Sequence, residues 1–177
     1  MKTVGIIAAV LVLAVAAVLI YAAFRPGTLT VQRSAVIKAA PEKIFALIND
    51  FGQWTAWSPY EKKDPAMKRA RSGPPQGKGA HYAWEGNKDV GKGRMEIADA
   101  SPPSQVTINL DFEKPFEAHN TVVFKIEPKG DATNVTWTMT GRSNYIAKVI
   151  GIFLNMDKMI GTDFEAGLAN MKAVAER

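Results

Sequence analysis

Histidine and carboxylate side chains are the first candidates for chemistry, and their spacing decides how far they can be taken. The 177-residue chain holds two histidines, His81 and His119. They form no HExxH-type pair and no third ligand stands at a metal-binding spacing, so each reads as a surface or hydrogen-bonded strand residue and no metal is expected. No Ser stands in a Gly-x-Ser-x-Gly frame, which removes a nucleophile elbow. Gly91-Lys92-Gly93 superficially suits a phosphate loop, but it precedes a strand instead of opening a helix, so no helix N-terminus awaits an anion. A hairpin turn is the better reading. Asp99, Asp111, Glu113 or His119 could act as a general acid or base if one entered an apolar cavity, where burial raises a carboxyl pKa. Spacing singles none of them out, and Asp111 alternates away from its apolar neighbours. No catalytic residue is assigned, and no cofactor is called for.

Composition removes further classes. The chain has no cysteine, so disulfides, thiolate nucleophiles and sulfur-bound metals are excluded. A net charge of +5 is mild, and Lys and Arg are dispersed instead of tracking a phosphate backbone, so nucleic acid is not an expected partner. With 47% apolar and 22% charged residues, the balance is that of an ordinary folded chain.

Residues 4–24, VGIIAAVLVLAVAAVLIYAAF, carry no charge. At 1.5 Å per residue the run spans about 30 Å, the hydrocarbon thickness of a bilayer. It exceeds the apolar stretch of about 7–15 residues usual for a cleaved signal, and Tyr21-Ala22-Ala23-Phe24 offers no small-x-small site. A single-pass, uncleaved signal anchor is therefore expected. Lys2 precedes the span while Arg25, Arg33 and Lys38 follow it, so charge alone does not settle orientation. The short N-terminal tail favours a domain on the outer, periplasmic or extracytoplasmic, side. Pro26-Gly27 then breaks the helix, dividing the chain into an anchor with its linker (1–27) and one soluble domain (28–177).

The domain opens with a β-branched run at 28–39. A helix is expected from Ala40-Pro41-Glu42-Lys43, with Pro in the first turn, Glu42 at the positive end of the dipole, and Ile44, Phe45, Leu47 and Ile48 on its apolar side. The aromatic decapeptide 51–60, FGQWTAWSPY, reads as a second short helix or turn closed by Ser58-Pro59. Six strand-length runs follow: 68–72, 80–84, 94–99, 105–112, 118–127 and 134–142. The turn clusters between them call for an antiparallel sheet built by hairpins. Val106, Ile108, Leu110 and Phe112 alternate with Thr107, Asn109 and Asp111, and Val135, Trp137 and Met139 with threonines, so one face is buried and one wet. From Asn144 the period becomes helical. Ile146, Ile150 and Phe153, then Ile160, Phe164, Leu168 and Met171, draw one apolar stripe, with a break at residues 155–157 where Asp157 caps a second helix.

Strand, two short helices, six strands and a long helix make an α+β domain, a seven-stranded antiparallel sheet curled around the C-terminal helix, with one N-terminal transmembrane helix before it. In this order the chain resembles the START-like (SRPBCC) helix-grip superfamily, in its polyketide cyclase or dehydrase and lipid-transport branch. The resemblance is carried by residues 39–45 (AAPEKIF), Trp54-x-x-Trp57-Ser58-Pro59, Tyr82-x-Trp84-x-Gly86-Asn87, Gly91-x-Gly93-x-Met95-x-Ile97 and Gly161-x-Asp163-Phe164-x-x-Gly167-Leu168-x-x-Met171-Lys172. It implies an apolar cavity for lipids, sterols, polyketides or other hydrophobic molecules, with catalysis in only some members.

The residues themselves suggest where such a cavity would lie. Alternation sets Tyr82, Trp84, Met95, Phe112, Phe124, Trp137 and Met139 on the concave side, opposite Ile150, Phe153, Ile160 and Phe164. Trp54 and Trp57 share a helix face and are expected at the mouth, with their indole N–H groups toward water or a ligand. A membrane-tethered module binding a hydrophobic small molecule or lipid is the favoured function. A ligand-free scaffold of a membrane complex and a cyclase- or dehydratase-like enzyme are the alternatives.

Overall fold

The computed structural model describes residues 2–177. Helix α1 (Lys2–Phe24) is apolar all round from Thr3 onward and, by length and composition, is able to cross a membrane. It stops before Pro26, whose missing N–H and fixed ring cannot continue a helix. Strand β1 (Thr28–Ile37) follows, then α2 (Pro41–Asn49), which starts at Pro41 and buries Ile44, Phe45, Leu47 and Ile48. The aromatic decapeptide yields α3 (Trp54–Trp57), and Ser58-Pro59 does more than close it. Pro59 is itself the first residue of α4 (Pro59–Lys63), the position where a preset φ favours helix.

Strands β2 (Lys68–Ser72), β3 (His81–Glu85), β4 (Lys92–Ser101), β5 (Gln105–Lys114), β6 (Ala118–Lys129) and β7 (Ala132–Arg142) run as successive antiparallel hairpins. Strand β1 pairs with β7, giving the order β1-β7-β6-β5-β4-β3-β2. Because α2, α3 and α4 intervene between β1 and β2, the first strand closes on the last instead of on its neighbour in sequence. Ile97, Ile108, Leu110, Val122, Phe124, Val135 and Trp137 all face the buried side.

After β7 come α5 (Tyr145–Phe153) and α6 (Met156–Ala175). The break falls where expected but the cap is different: Asn155 accepts the Lys158 N–H at 2.9 Å, and Asp157 sits in the first turn of α6. Asp157 is thereby freed to meet Arg33 of β1, at 3.0 Å. The stripe expected as one is two. On α6 it buries Gly161, Phe164, Gly167, Leu168, Met171 and Ala175 under the sheet, whereas α5 buries none of its residues. Glycine costs about 1 kcal/mol inside a helix, and Gly167 is there for space. A β-carbon at that position would stand 2.8 Å from the Trp137 ring and 3.1 Å from Pro59.

Candidate functional site

The interior between sheet and α6 is a continuous aromatic cluster. Trp137 of β7 and Phe124 of β6 are register partners on the concave face, with ring centroids 4.8 Å apart. Phe164 of α6 stacks on Trp137 at 4.1 Å and 10°. Trp57 meets the same indole edge-on at 5.7 Å, and Trp54 lies 4.8 Å from Trp57. Toward β3 the chain of rings continues through Phe51 and Tyr82 (5.8 Å), Trp84 (6.3 Å) and Phe112 (5.7 Å). Of the residues proposed from sequence to line a cavity, Trp54, Trp57, Tyr82, Trp84, Met95, Phe124, Trp137, Met139 and Phe164 are buried here. Phe112 and Ile160 pack at its margin. Ile150 and Phe153 lie on α5, outside the ring cluster, and Phe153 is 71% exposed.

The four tryptophans differ in what their N–H groups find. Trp54 Nε1 donates to the Ile48 carbonyl and Trp57 Nε1 to the Leu47 carbonyl, each at 2.9 Å. Those carbonyls belong to the last turn of α2, where a helix leaves acceptors unsatisfied. The expected outward-facing indoles at a mouth are thus corrected: the two rings plug the C-terminal end of α2, and their donors are used up by it. Trp84 Nε1 donates to Val90 at 2.9 Å. Trp137, only 3% exposed, has an Nε1 with no acceptor among the described residues. A buried unmet donor costs roughly 1–3 kcal/mol. Asn49 Oδ1, at the end of α2, is the other such atom.

A buried charge cluster lies beside the rings and was not anticipated from sequence. Glu61 of α4 accepts the Tyr82 hydroxyl on Oε1 and Arg69 Nε on Oε2, both at 2.6 Å. Burial, then the hydrogen bond to Glu61, pushes the Tyr82 phenol well above its usual range. Both carboxylate oxygens are engaged, so Glu61 is built to hold α4 against β2 and β3. The spacing 61, 69 and 82 follows no helix or strand period, and only the fold brings the three together.

On the wet face, Arg94, Asp111 and His119 form a row of direct cross-strand partners on β4, β5 and β6. Asp111 Oδ2 takes Arg94 Nε at 3.1 Å, and His119 Nδ1 lies 2.7 Å from Asp111 Oδ1. His119 and then Arg94 hold the Asp111 carboxyl below its ordinary range. The row borders an open groove of about 580 Å³ that also includes Glu96, Thr140 and Arg142. A cross-strand ion pair and a neighbouring hydrogen bond along a sheet row stabilise pairing, which accounts for these residues without chemistry. Asp99 and Glu113 are exposed, and no group of three His, Asp or Glu that could hold a metal occurs among the described residues.

A seven-stranded antiparallel sheet curled over a C-terminal helix, with short helices closing one end and rings filling the grip, defines the START-like helix-grip class. Residues 28–176 match the family model described as Polyketide cyclase / dehydrase and lipid transport, and the chain belongs to that family. Among curated proteins none matches it. Solved structures with the same fold include protein CV1439 from Chromobacterium violaceum, at 13% identity and TM-score 0.61 over 86% of this chain and 99% of that one. Major latex-like protein 151 from Panax ginseng is 14% identical with TM-score 0.60, over 86% and 100%. The Aha1 dimer from Colwellia psychrerythraea is 16% identical with TM-score 0.60, over 84% and 96%. At these identities the likeness is one of fold.

Proposed function

We propose that this chain is a membrane-tethered module that takes an apolar molecule with an oxygen acceptor into the ring-lined interior of the grip. The observation that carries the reading is the Trp137 indole: three tryptophan N–H groups are paired, and the one at the centre of the cluster is not. A carbonyl or hydroxyl of a lipid-like ligand would satisfy that donor while its hydrocarbon replaces ring contacts. Met95 and Met139, flexible thioethers on the same buried face, would adjust to the ligand's outline. Uptake requires Phe164 and Trp137 to part, so binding is coupled to movement of α6 from the sheet. Helix α1 would hold this interior beside the bilayer that supplies the ligand, with the domain on the outer side, which protease digestion of intact cells tests.

Native mass spectrometry of the full chain released from detergent micelles, followed by organic extraction, checks the binding. A stoichiometric apolar adduct is expected. Trp137→Phe keeps a ring but removes the donor, and should weaken retention about five-fold, the worth of one hydrogen bond of about 1 kcal/mol. Adduct-free protein from several expression hosts would overturn the reading. An enzyme reading draws no comparable support, because the buried carboxylate of Glu61 is committed to Tyr82 and Arg69.

A further inference from the structure

Helix α5 has the composition of a core helix and the exposure of a surface one. Ile146, Ile150 and Phe153 recur at helical spacing on one side, yet Ile146 is 62% and Phe153 71% exposed. Leu154, just beyond the helix, is exposed as well. A face this apolar on a short helix requires a cover. Its neighbour identifies which. Tyr145 donates its hydroxyl to the Leu19 carbonyl at 2.7 Å, five residues before the end of α1. Ala22 of that helix is fully buried, and the Arg25 guanidinium reaches to within 3.4 Å of where a β-carbon on Gly151 would stand.

Those contacts set a depth. Five residues of helix rise about 7–8 Å, so if Phe24 marks the edge of the hydrocarbon, the Tyr145 hydroxyl reaches about that far inside it, while Gly151, beside Arg25, lies near the edge itself. Interfacial amphipathic helices bury their apolar face about 5–10 Å into the boundary between headgroups and acyl chains. The flanking charges fit the same place. From Arg142 to Lys158 the chain carries Arg142, Lys148 and Lys158 against one acid, Asp157, and that acid is already paired with Arg33. The balance suits anionic headgroups.

We propose that α5 is a second membrane contact: it lies in the interface of the bilayer that holds α1, with Ile146, Phe153 and Leu154 in the acyl boundary and Lys148 and Lys158 at the headgroups. The inference rests on α1 being a membrane span. It adds that the helix leading into α6 is seated in the same leaflet, so lipid contact and the closing element of the grip are joined through Leu154 and Asn155.

Because the chain lacks cysteine, any introduced thiol is unique. The test uses the full chain in vesicles of phosphatidylcholine and phosphatidylglycerol, with an environment-sensitive fluorophore placed in turn at Val12→Cys, Phe153→Cys and Lys129→Cys. Brominated acyl chains serve as the quencher. Val12 and Phe153 labels should be blue-shifted and quenched at least two-fold, while Lys129, the exposed last residue of β6, should emit as in water. A quenched Val12 label with a Phe153 label indistinguishable from Lys129 would overturn the interfacial helix and leave the anchor standing. An unquenched Val12 label would overturn both. Circular dichroism unchanged in Phe153→Cys shows that the substitution has not unfolded the domain, as its exposure predicts.

Discussion

Helices α5 and α6 are adjacent in sequence, share a hydrophobic period and meet opposite fates. Helix α6 alternates glycines with Phe164, Leu168 and Met171 and buries that stripe completely against the sheet. Helix α5 is the more uniformly apolar and buries nothing. The difference lies in what each is given to pack on. Trp137, Phe124 and the α3 rings wait opposite α6, whereas α5 meets the last turns of α1 and stays at most half-buried. Periodicity therefore reports that a face needs cover, and leaves open whether protein or lipid supplies it.

The largest expected contrast is between two phenylalanines. Phe164→Ala should cost about 3–5 kcal/mol by denaturant midpoint, because it removes a ring stacked at 4.1 Å on Trp137. Phe153→Ala, from an exposed site, should change stability in detergent by no more than about 0.5 kcal/mol. Equal losses would mean that α5 is core after all. Next come two glycines. Gly167→Ala drives a methyl into the Trp137 ring and Pro59 and should destabilise by about 1–3 kcal/mol despite the better helix former. Gly151→Ala meets only the Arg25 guanidinium at 3.4 Å, so it should gain up to about 1 kcal/mol of helix propensity.

A smaller and more local effect concerns the start of α6, where Arg33 bonds Asp157 and Glu165. Arg33→Met should speed amide exchange at residues 156–161 while leaving 168–175 protected by the ring cluster, and uniform acceleration would contradict that division. Smallest is a titration. Burial raises the phenol pKa of both Tyr60 and Tyr82, assisted by Asp163 of α6 at the first and by Glu61 at the second. A raised folded pKa gives stability that is complete below the unfolded value of about 10 and is lost as pH climbs through the folded one. Ultraviolet titration should therefore show two of the four tyrosines ionising late, and melting temperatures should decline above about pH 10.

Strand alternation made most of this fold legible. Val106 to Phe112 and Val135 to Met139 point as their period-2 pattern requires, and the hairpin turns lie where Gly and Pro cluster. The starts of α2 and α6 were readable from Pro41 and from the polar break at Asn155. Long-range pairings were not. Nothing local tells Trp54 and Trp57 to cap α2, since indole donors and helix-end carbonyls recognise each other only after the chain turns back. Glu61, Arg69 and Tyr82 are separated by irregular intervals, so their cluster exists only in three dimensions. The interior rings were legible as a set because strands expose alternate residues to one face, but the missing acceptor of Trp137 is a property of packing, which no spacing encodes.

Between Phe24 and Thr28 the chain has three residues, Arg25, Pro26 and Gly27, and Ser143 donates to the Gly27 carbonyl at 3.0 Å. Fully stretched, three residues reach only about 10 Å, and this link is pinned at its far end. Were α1 seated in a bilayer, as proposed, the domain could not commute between two membranes or wander through the surrounding solution. On the proposed function, a ligand drawn from that leaflet would be met by lateral diffusion, a two-dimensional search set by crowding in the leaflet.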